Sequence, residues 1–263
     1  MDLRLAGKTA VVTGGSKGIG LEVVRMLIDE GVRVVSGSRS ITADLKETGA
    51  TAVSVDLSTA DGPQHLIDEA RTVLGGIDIL VNNAGIGDHD ALVQGATNNV
   101  LTLPDSAWER SFDINFYATL RASRAAMPSL IERRGVIVNV SSIGARMVGA
   151  GPVDYNIAKT ALNGLTKALA EQFGPQGVRA IGISPGPVST TVWSDPDGFI
   201  GQVAKAQGVA HEVFAEQMIK SIGSATGRLT TPEEVARLIV FAAAPNNISG
   251  ADYLIDGSAL RTV

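Results

Sequence analysis

The chain contains no cysteine, which excludes a disulfide scaffold, a thiolate nucleophile and a cysteine zinc site, and fits a reducing compartment. Histidine is nearly as scarce. His65, His89 and His211 lie far apart without the spacing of paired metal ligands, so a structural or surface role is expected for each and no metal is expected. No window concentrates Lys and Arg, and 22 basic against 27 acidic residues leave a net charge of −5, which excludes nucleic-acid binding driven by bulk charge. No run of about 18 uncharged apolar residues occurs, and residues 1–8 hold no apolar core of signal-peptide length, so a cytoplasmic protein without a membrane span is expected. Only 4% of the 263 residues are aromatic, whereas 44% are hydrophobic and 30 are glycine. That mixture suits a sheet packed by Val, Ile, Leu and Ala with many tight connections.

Short β-branched runs at 9–13, 32–36, 51–55, 77–81, 136–140 and 178–183 are too continuous for half-exposed strands. They read as parallel strands covered on both faces. Helical periodicity falls between them at 18–30, 62–74, 105–133, 155–173 and 232–244. The alternation predicts a doubly wound α/β sheet of Rossmann type in a single domain over 1–263. Two excursions break the rhythm, 86–104 and 185–230, and both are candidates for substrate contact, with a lid over about 186–230.

After the first run comes Thr13-Gly14-Gly15-Ser16-Lys17-Gly18-Ile19-Gly20. Glycines at 14, 18 and 20 permit a tight turn and close approach to a pyrophosphate at a helix N-terminus. The stretch 33–41, R-V-V-S-G-S-R-S-I, holds no carboxylate to bind a ribose diol. Arg39, beside Ser38, could instead pair with a 2′-phosphate, and Lys17 could reach the same group, so NADP(H) is expected over NAD(H).

Tyr155 and Lys159 are spaced i, i+4 at a helix start and project from one face. An ammonium beside a phenol is expected to lower the phenol's pKa and make it a proton donor or acceptor. The run 136–140 ends in Ser141-Ser142, a hydroxyl pair at a strand's carboxyl end, of which either could face the crevice.

Gly14-x3-Gly18-x-Gly20, Asn82-Asn83-Ala84-Gly85, Ser142, Tyr155-x3-Lys159 and Pro185-Gly186 follow in order, and together resemble the classical short-chain dehydrogenase/reductase family along essentially the whole chain. The resemblance implies hydride transfer between nicotinamide and a ketone or secondary alcohol. It implies Tyr155 as general acid/base, and Lys159 as the group that lowers its pKa and binds the nicotinamide ribose. It selects Ser142 over Ser141 to stabilise the substrate oxygen, and Asn115 to hold a water that links Lys159 to solvent. It also implies that Asn83, Ala84 and Gly85 pack on the adenosine side, that Asp56 and Leu57 flank the adenine, and that Pro185, Gly186, Val188 and Thr190 contact the carboxamide. Apolar residues after Pro185, namely Trp193, Phe199, Val203, Phe214 and Met218, suggest a cyclic, aromatic or acyl substrate. The helices 105–133 (Trp108, Phe112, Phe116, Leu120) and 155–173 match those that pair between subunits in the family, so a homotetramer is expected, with a dimer as alternative. Two other readings are carried, a 3-oxoacyl carrier-protein reductase docking through Arg121, Arg124, Arg133 and Arg134, and a non-catalytic NADP(H)-binding sensor.

Overall fold

A computed structural model describes residues 2–86, 99–149 and 151–260. Seven parallel strands form one sheet in the order β3-β2-β1-β4-β5-β6-β7. They are β1 (Thr9–Thr13), β2 (Arg33–Ser38), β3 (Thr51–Ser54), β4 (Ile79–Asn82), β5 (Val136–Val140), β6 (Arg179–Pro185) and β7 (Asp252–Ile255). Every residue of β1, β4 and β5 is buried, as expected of strands covered on both faces.

Alternation along each strand divides the core in two. Ala10, Val12, Val81 and Val138 face α1 (Gly18–Asp29) and α10 (Pro232–Ala243), where they meet Val23, Leu27, Val235 and Ile239. Val11, Leu80 and Ile137 face α3 (Gly62–Leu74) and α5 (Ala118–Arg133), where they meet Leu66, Ile67, Ala122 and Leu130. Each such side chain removed from water contributes about 1.5–3 kcal/mol, so both layers are held firmly against the sheet.

Several boundaries differ from the sequence reading. The second run extends to Ser38 because Gly37 pairs with Thr13 and Ser38 with Ser54. The 77–81 run begins as a strand only at Ile79, since Asp78 turns its carboxylate back to the Thr9 amide and hydroxyl. A short α2 (Ala43–Glu47), capped by the Thr42 hydroxyl, had no signal in the periodicity. The expected 105–133 helix is α4 (Asp105–Phe112) and α5 joined by a π-helical segment, Asp113–Tyr117, that contains Asn115. The helix expected from 155 begins two residues earlier, as α6 (Val153–Phe173), which places Tyr155 in its first turn. The 185–230 excursion is mostly helical, with α7 (Thr191–Ser194), α8 (Phe199–Ala206) and α9 (His211–Ile222). The interior of the 86–104 excursion, with His89, lies outside the described residues.

The order in which strands are laid down reverses between β1 and β4, which lead to opposite halves of the sheet. The crevice at their carboxyl ends is where doubly wound sheets bind ligands. The segments after β1, β4, β5 and β6 meet there.

Candidate active site

The glycine turn is built from both sides of that crevice. Thr13 Oγ1 accepts from the amides of Asn83 at 2.9 Å and Ala84 at 3.0 Å, while Asn83 Nδ2 donates to the carbonyls of Thr13 and Gly14. Gly14 and Gly18 hold φ of +72° and +57°, in the left-handed region that favours glycine. A Cβ at Gly20 would overlap the Gly14 carbonyl and the Asn83 amide, so only glycine lets α1 start this close to the turn. Lys17 is the N-cap of α1 and provides no side-chain cap, and the first turn holds no acidic residue. The helix end therefore offers amides and positive dipole to an anion.

Around this cradle, Thr42 Oγ1 donates to the Ser16 carbonyl at 2.8 Å and ties the turn to the segment after β2. The Ser38 hydroxyl is buried without a hydrogen-bond partner. Arg39 and Lys17 are exposed, and among the described residues neither is in an ion pair. Asp56, exposed beside buried Leu57, sits below the usual carboxylate range because Ser58 donates to it from hydroxyl and amide, with Arg39 adding its charge. Opposite, the Gly186 amide donates to the Ile255 carbonyl and Val188 bridges to Thr230. Thr190 reaches back so that a Cβ on Gly18 would lie 3.2 Å from its methyl. A donor-rich turn, an unpartnered buried hydroxyl and two exposed cations fit a nicotinamide dinucleotide.

The second half of the site descends from β5 and α6. Ser141 Oγ donates to the Lys159 carbonyl, so this serine is turned into the protein. Ser142 lines the cleft, and its Oγ accepts from the Gly144 amide at 3.0 Å and hydrogen-bonds the Tyr155 side chain. Lys159, 3% exposed, donates from Nζ to the Val140 carbonyl at 2.9 Å, and the ammonium lies 5.6 Å from the Tyr155 ring centroid. Burial pulls Lys159 down to about 8. Burial also pushes the Tyr155 phenol up, against the pull of the Ser142 hydrogen bond. The expected lowering of Tyr155 by Lys159 is thus corrected, because desolvation of the phenolate outweighs the other influences on it.

Gly85 allows the remaining groups to converge. A Cβ there would lie 2.8 Å from Asn115 Oδ1 and 3.0 Å from Lys159 Nζ. Asn115 is fully buried and uses both ends of its amide, with Nδ2 donating to the carbonyls of Ile86 at 2.8 Å and Ser111 at 2.9 Å, and Oδ1 accepting from the Ile86 amide. It fixes the chain after β4 beside Lys159.

A cleft of about 250 Å³ opens onto Ser142 and Tyr155. Ile143, Met147, Pro152, Pro187 and Trp193 form its apolar walls, and among the described residues that line it none is Asp, Glu, Lys, Arg or His. Of the apolar residues expected to cover a substrate, Trp193 does line the cleft. Val203, Phe214 and Met218 instead cluster with Ile200 and Ala204 in a small core between the lid helices, because α8 and α9 need one another to bury their apolar faces. The Phe199 side chain lies outside the described residues. His65 is exposed, His211 Nε2 is 2.9 Å from the Trp193 carbonyl, and no group of three His, Asp or Glu gathers among the described residues. The sequence reading missed Ile143, Met147, Pro152 and Asn156 as cleft residues, although adjacency to Ser142 and Tyr155 was a usable signal.

Comparison with known proteins places this geometry. The short chain dehydrogenase family matches residues 8–197. The 3-alpha-(or 20-beta)-hydroxysteroid dehydrogenase of Mycobacterium tuberculosis is 32% identical over 99% of this chain and 92% of its own. A cyclic-di-GMP-binding biofilm dispersal mediator protein of Escherichia coli is 34% identical over 96% and 97%. Among solved structures, L-sorbose reductase from Gluconobacter frateurii, complexed with NADPH and L-sorbose, superimposes with a TM-score of 0.89 at 29% identity and full coverage of both chains. The chain belongs to the short-chain dehydrogenase/reductase family, oxidoreductases that act on CH–OH groups with a nicotinamide cofactor.

Proposed function

We propose that the protein is an NADP(H)-dependent oxidoreductase that interconverts a ketone and a secondary alcohol, on an uncharged apolar substrate of cyclic, aromatic or acyl type. The observation that carries this reading is the apolar cleft that has Ser142 and Tyr155 together on its polar floor. A charged substrate would leave its charge unpaired there, at a cost of several kcal/mol. Gly14, Ser16, Lys17, Gly18, Ile19 and Gly20 would hold the pyrophosphate side, with Ser38 and Arg39 on the 2′-phosphate. Asp56, Leu57, Asn83, Ala84 and Gly85 would flank the adenosine, while Pro185, Gly186, Val188 and Thr190 would hold the carboxamide. The cofactor supplies or accepts the hydride.

The chain's own part is to handle the oxygen and the proton. Ser142 donates to the carbonyl oxygen, where negative charge develops during reduction, and such a preorganised donor lowers the barrier by about 3 kcal/mol. Tyr155 gives its proton to the same oxygen. A phenol is protonated at neutral pH and burial pushes this one further that way, so it enters reduction as an acid. Lys159, near pH 8, sits close enough to neutrality to restore that proton, and Asn115 completes the path toward solvent beside Ile86. In the alcohol-oxidising direction Tyr155 takes the proton instead.

The sensor reading draws on the named E. coli relative. Ser142 and Tyr155 together on the floor of the cleft favour catalysis over it, since cofactor binding alone does not need the Ser142 hydroxyl there. The carrier-protein reading loses two of its four arginines, because Arg121 is bound to Asp113 and the Thr59 carbonyl, and Arg133 to Asp78. A cytoplasmic homotetramer is part of the proposal and rests on the sequence reading. The test is titration with NADPH and NADH, followed by NADPH oxidation over cyclic, aromatic and acyl ketones, with a keto acid as the charged control. Tighter NADPH binding and turnover of a neutral ketone are expected. Turnover confined to the keto acid, or NADH bound more tightly, would overturn the reading.

A further inference from the structure

We infer that Asn156 and Thr160 are positioning residues that set the Ser142 hydroxyl against Tyr155. They stand one position after Tyr155 and Lys159 on α6 and share their i, i+4 spacing, so the helix carries two adjacent polar stripes. One stripe carries the chemistry of the proposed reductase, on which this inference rests, and the other grips the segment that carries Ser142.

That segment needs gripping. Ser142 is the N-cap of a 3-10 turn, Ile143–Arg146, and its Oγ accepts from the Gly144 amide, so the hydroxyl goes where the turn goes. Sheet pairing stops just before it, with Ser141 donating to the Ile183 carbonyl. Beyond that point the turn is tied to α6. Asn156, 2% exposed, donates from Nδ2 to the carbonyls of Met147 at 3.3 Å and Val148 at 3.4 Å. Its Oδ1 occupies the space a Cβ on Gly144 would fill, so the turn's backbone rests directly on the Asn156 amide. Thr160 Oγ1 donates to the Ala145 carbonyl at 2.8 Å and lies 2.9 Å from the Asn156 carbonyl. One helical turn on, Asn163 and Arg146 share the Asp252 carboxylate, which closes the clamp on the far side of the turn.

The distance between Ser142 and Tyr155 is thereby set over a few contacts from one helix. Loosening the clamp weakens the Ser142 hydrogen bond, and the Tyr155 phenol loses the one influence that opposes its burial. Its titration then moves upward.

The chain has three tyrosines, so tyrosinate absorbance of a Tyr155→Phe variant subtracted from the unsubstituted protein isolates Tyr155, without cofactor or substrate. Ser142→Ala marks the shift for complete loss of the bond. Asn156→Leu and Thr160→Val are expected to move the Tyr155 titration in the same direction, part of the way, and Thr160→Ser to restore it. With NADPH and a ketone, both loosened variants are expected to lose about tenfold in kcat, with NADPH affinity within about twofold of the original. An unmoved titration in folded Asn156→Leu and Thr160→Val would overturn the inference, as would a shift in Thr160→Ser equal to that in Thr160→Val. Absence of ketone turnover by the unsubstituted protein would sink the reductase reading alone, because the titration needs no turnover.

Discussion

Lys159 holds its charge where the fold least favours one, and that conflict marks it as a residue kept for chemistry. Its ordinary value of 10.5 falls to about 8 in the folded protein. Between those values the unfolded chain carries more protons, so stability rises with pH across that window, and the full cost of burial applies below about pH 8. Lys159→Met is expected to abolish turnover yet melt higher than the original at pH 7, by roughly 2–4 °C for each kcal/mol relieved. The gap should narrow from pH 8 upward in calorimetry. A melting difference that ignores pH would show that burial of the charge is not what Lys159 costs. Arg39 offers a contrasting case, exposed and with only the nearby Asp56 to share its charge. Arg39→Asp is expected to weaken NADPH binding roughly tenfold to a hundredfold, the worth of one or two charge-assisted hydrogen bonds, and to leave NADH nearly unchanged in fluorescence titration. Equal loss for both cofactors would remove Arg39 from the 2′-phosphate.

At the scale of elements, the helix ends and strand ends do the placing. Arg179 opens β6 and donates to the carbonyls of Ala242, Ala243, Ala244 and Ile248 and to Asn246 Oδ1. One guanidinium thus closes the C-terminus of α10 and binds it to the sheet. Arg179→Ala leaves those carbonyls unpaired and is expected to cost about 2–4 kcal/mol in urea unfolding, while Arg179→Lys recovers little, because one ammonium cannot span the fork. The strands, the glycine turn and the Tyr155–Lys159 pair could be read from the chain because each is a local pattern, a β-branched run or a fixed spacing. The π-helical segment could not, since a single widened turn of five residues is too short to show a period of its own between two α-helices. Nor could the lid. Val203, Phe214 and Met218 look alike in sequence whether they face a substrate or one another, and the packing of α8 on α9 decides. The same limit hides the buried chain from Asn82 to Asn139 to Thr166, at 2.9 Å for each link, which exists only once β4, β5 and α6 are in register.

Over the whole molecule, the two ends of the sheet are put to different uses. The carboxyl end gathers the glycine turn, Ser142 and Tyr155, and the amino end is bound for stability. There, burial works to raise Asp78, but hydrogen bonds from Thr9 and Lys8 outweigh it and hold the carboxyl below its ordinary range. A lowered carboxylate contributes stability that is present above its unfolded value and lost as pH falls through its folded one. Asp78→Asn is therefore expected to flatten the acid limb of the stability curve and to cost about 1–3 kcal/mol at pH 7, with NADPH affinity unchanged. An acid limb as steep as the original's would place that proton uptake elsewhere. The chemistry at the carboxyl end is tested most directly by comparing NADPH oxidation by the unsubstituted protein and by Tyr155→Phe with the same neutral cyclic or aromatic ketone. Measurable oxidation is expected of the first, and a loss of at least about a thousandfold in the second with NADPH binding intact. Equal rates in the two proteins would contradict that chemistry.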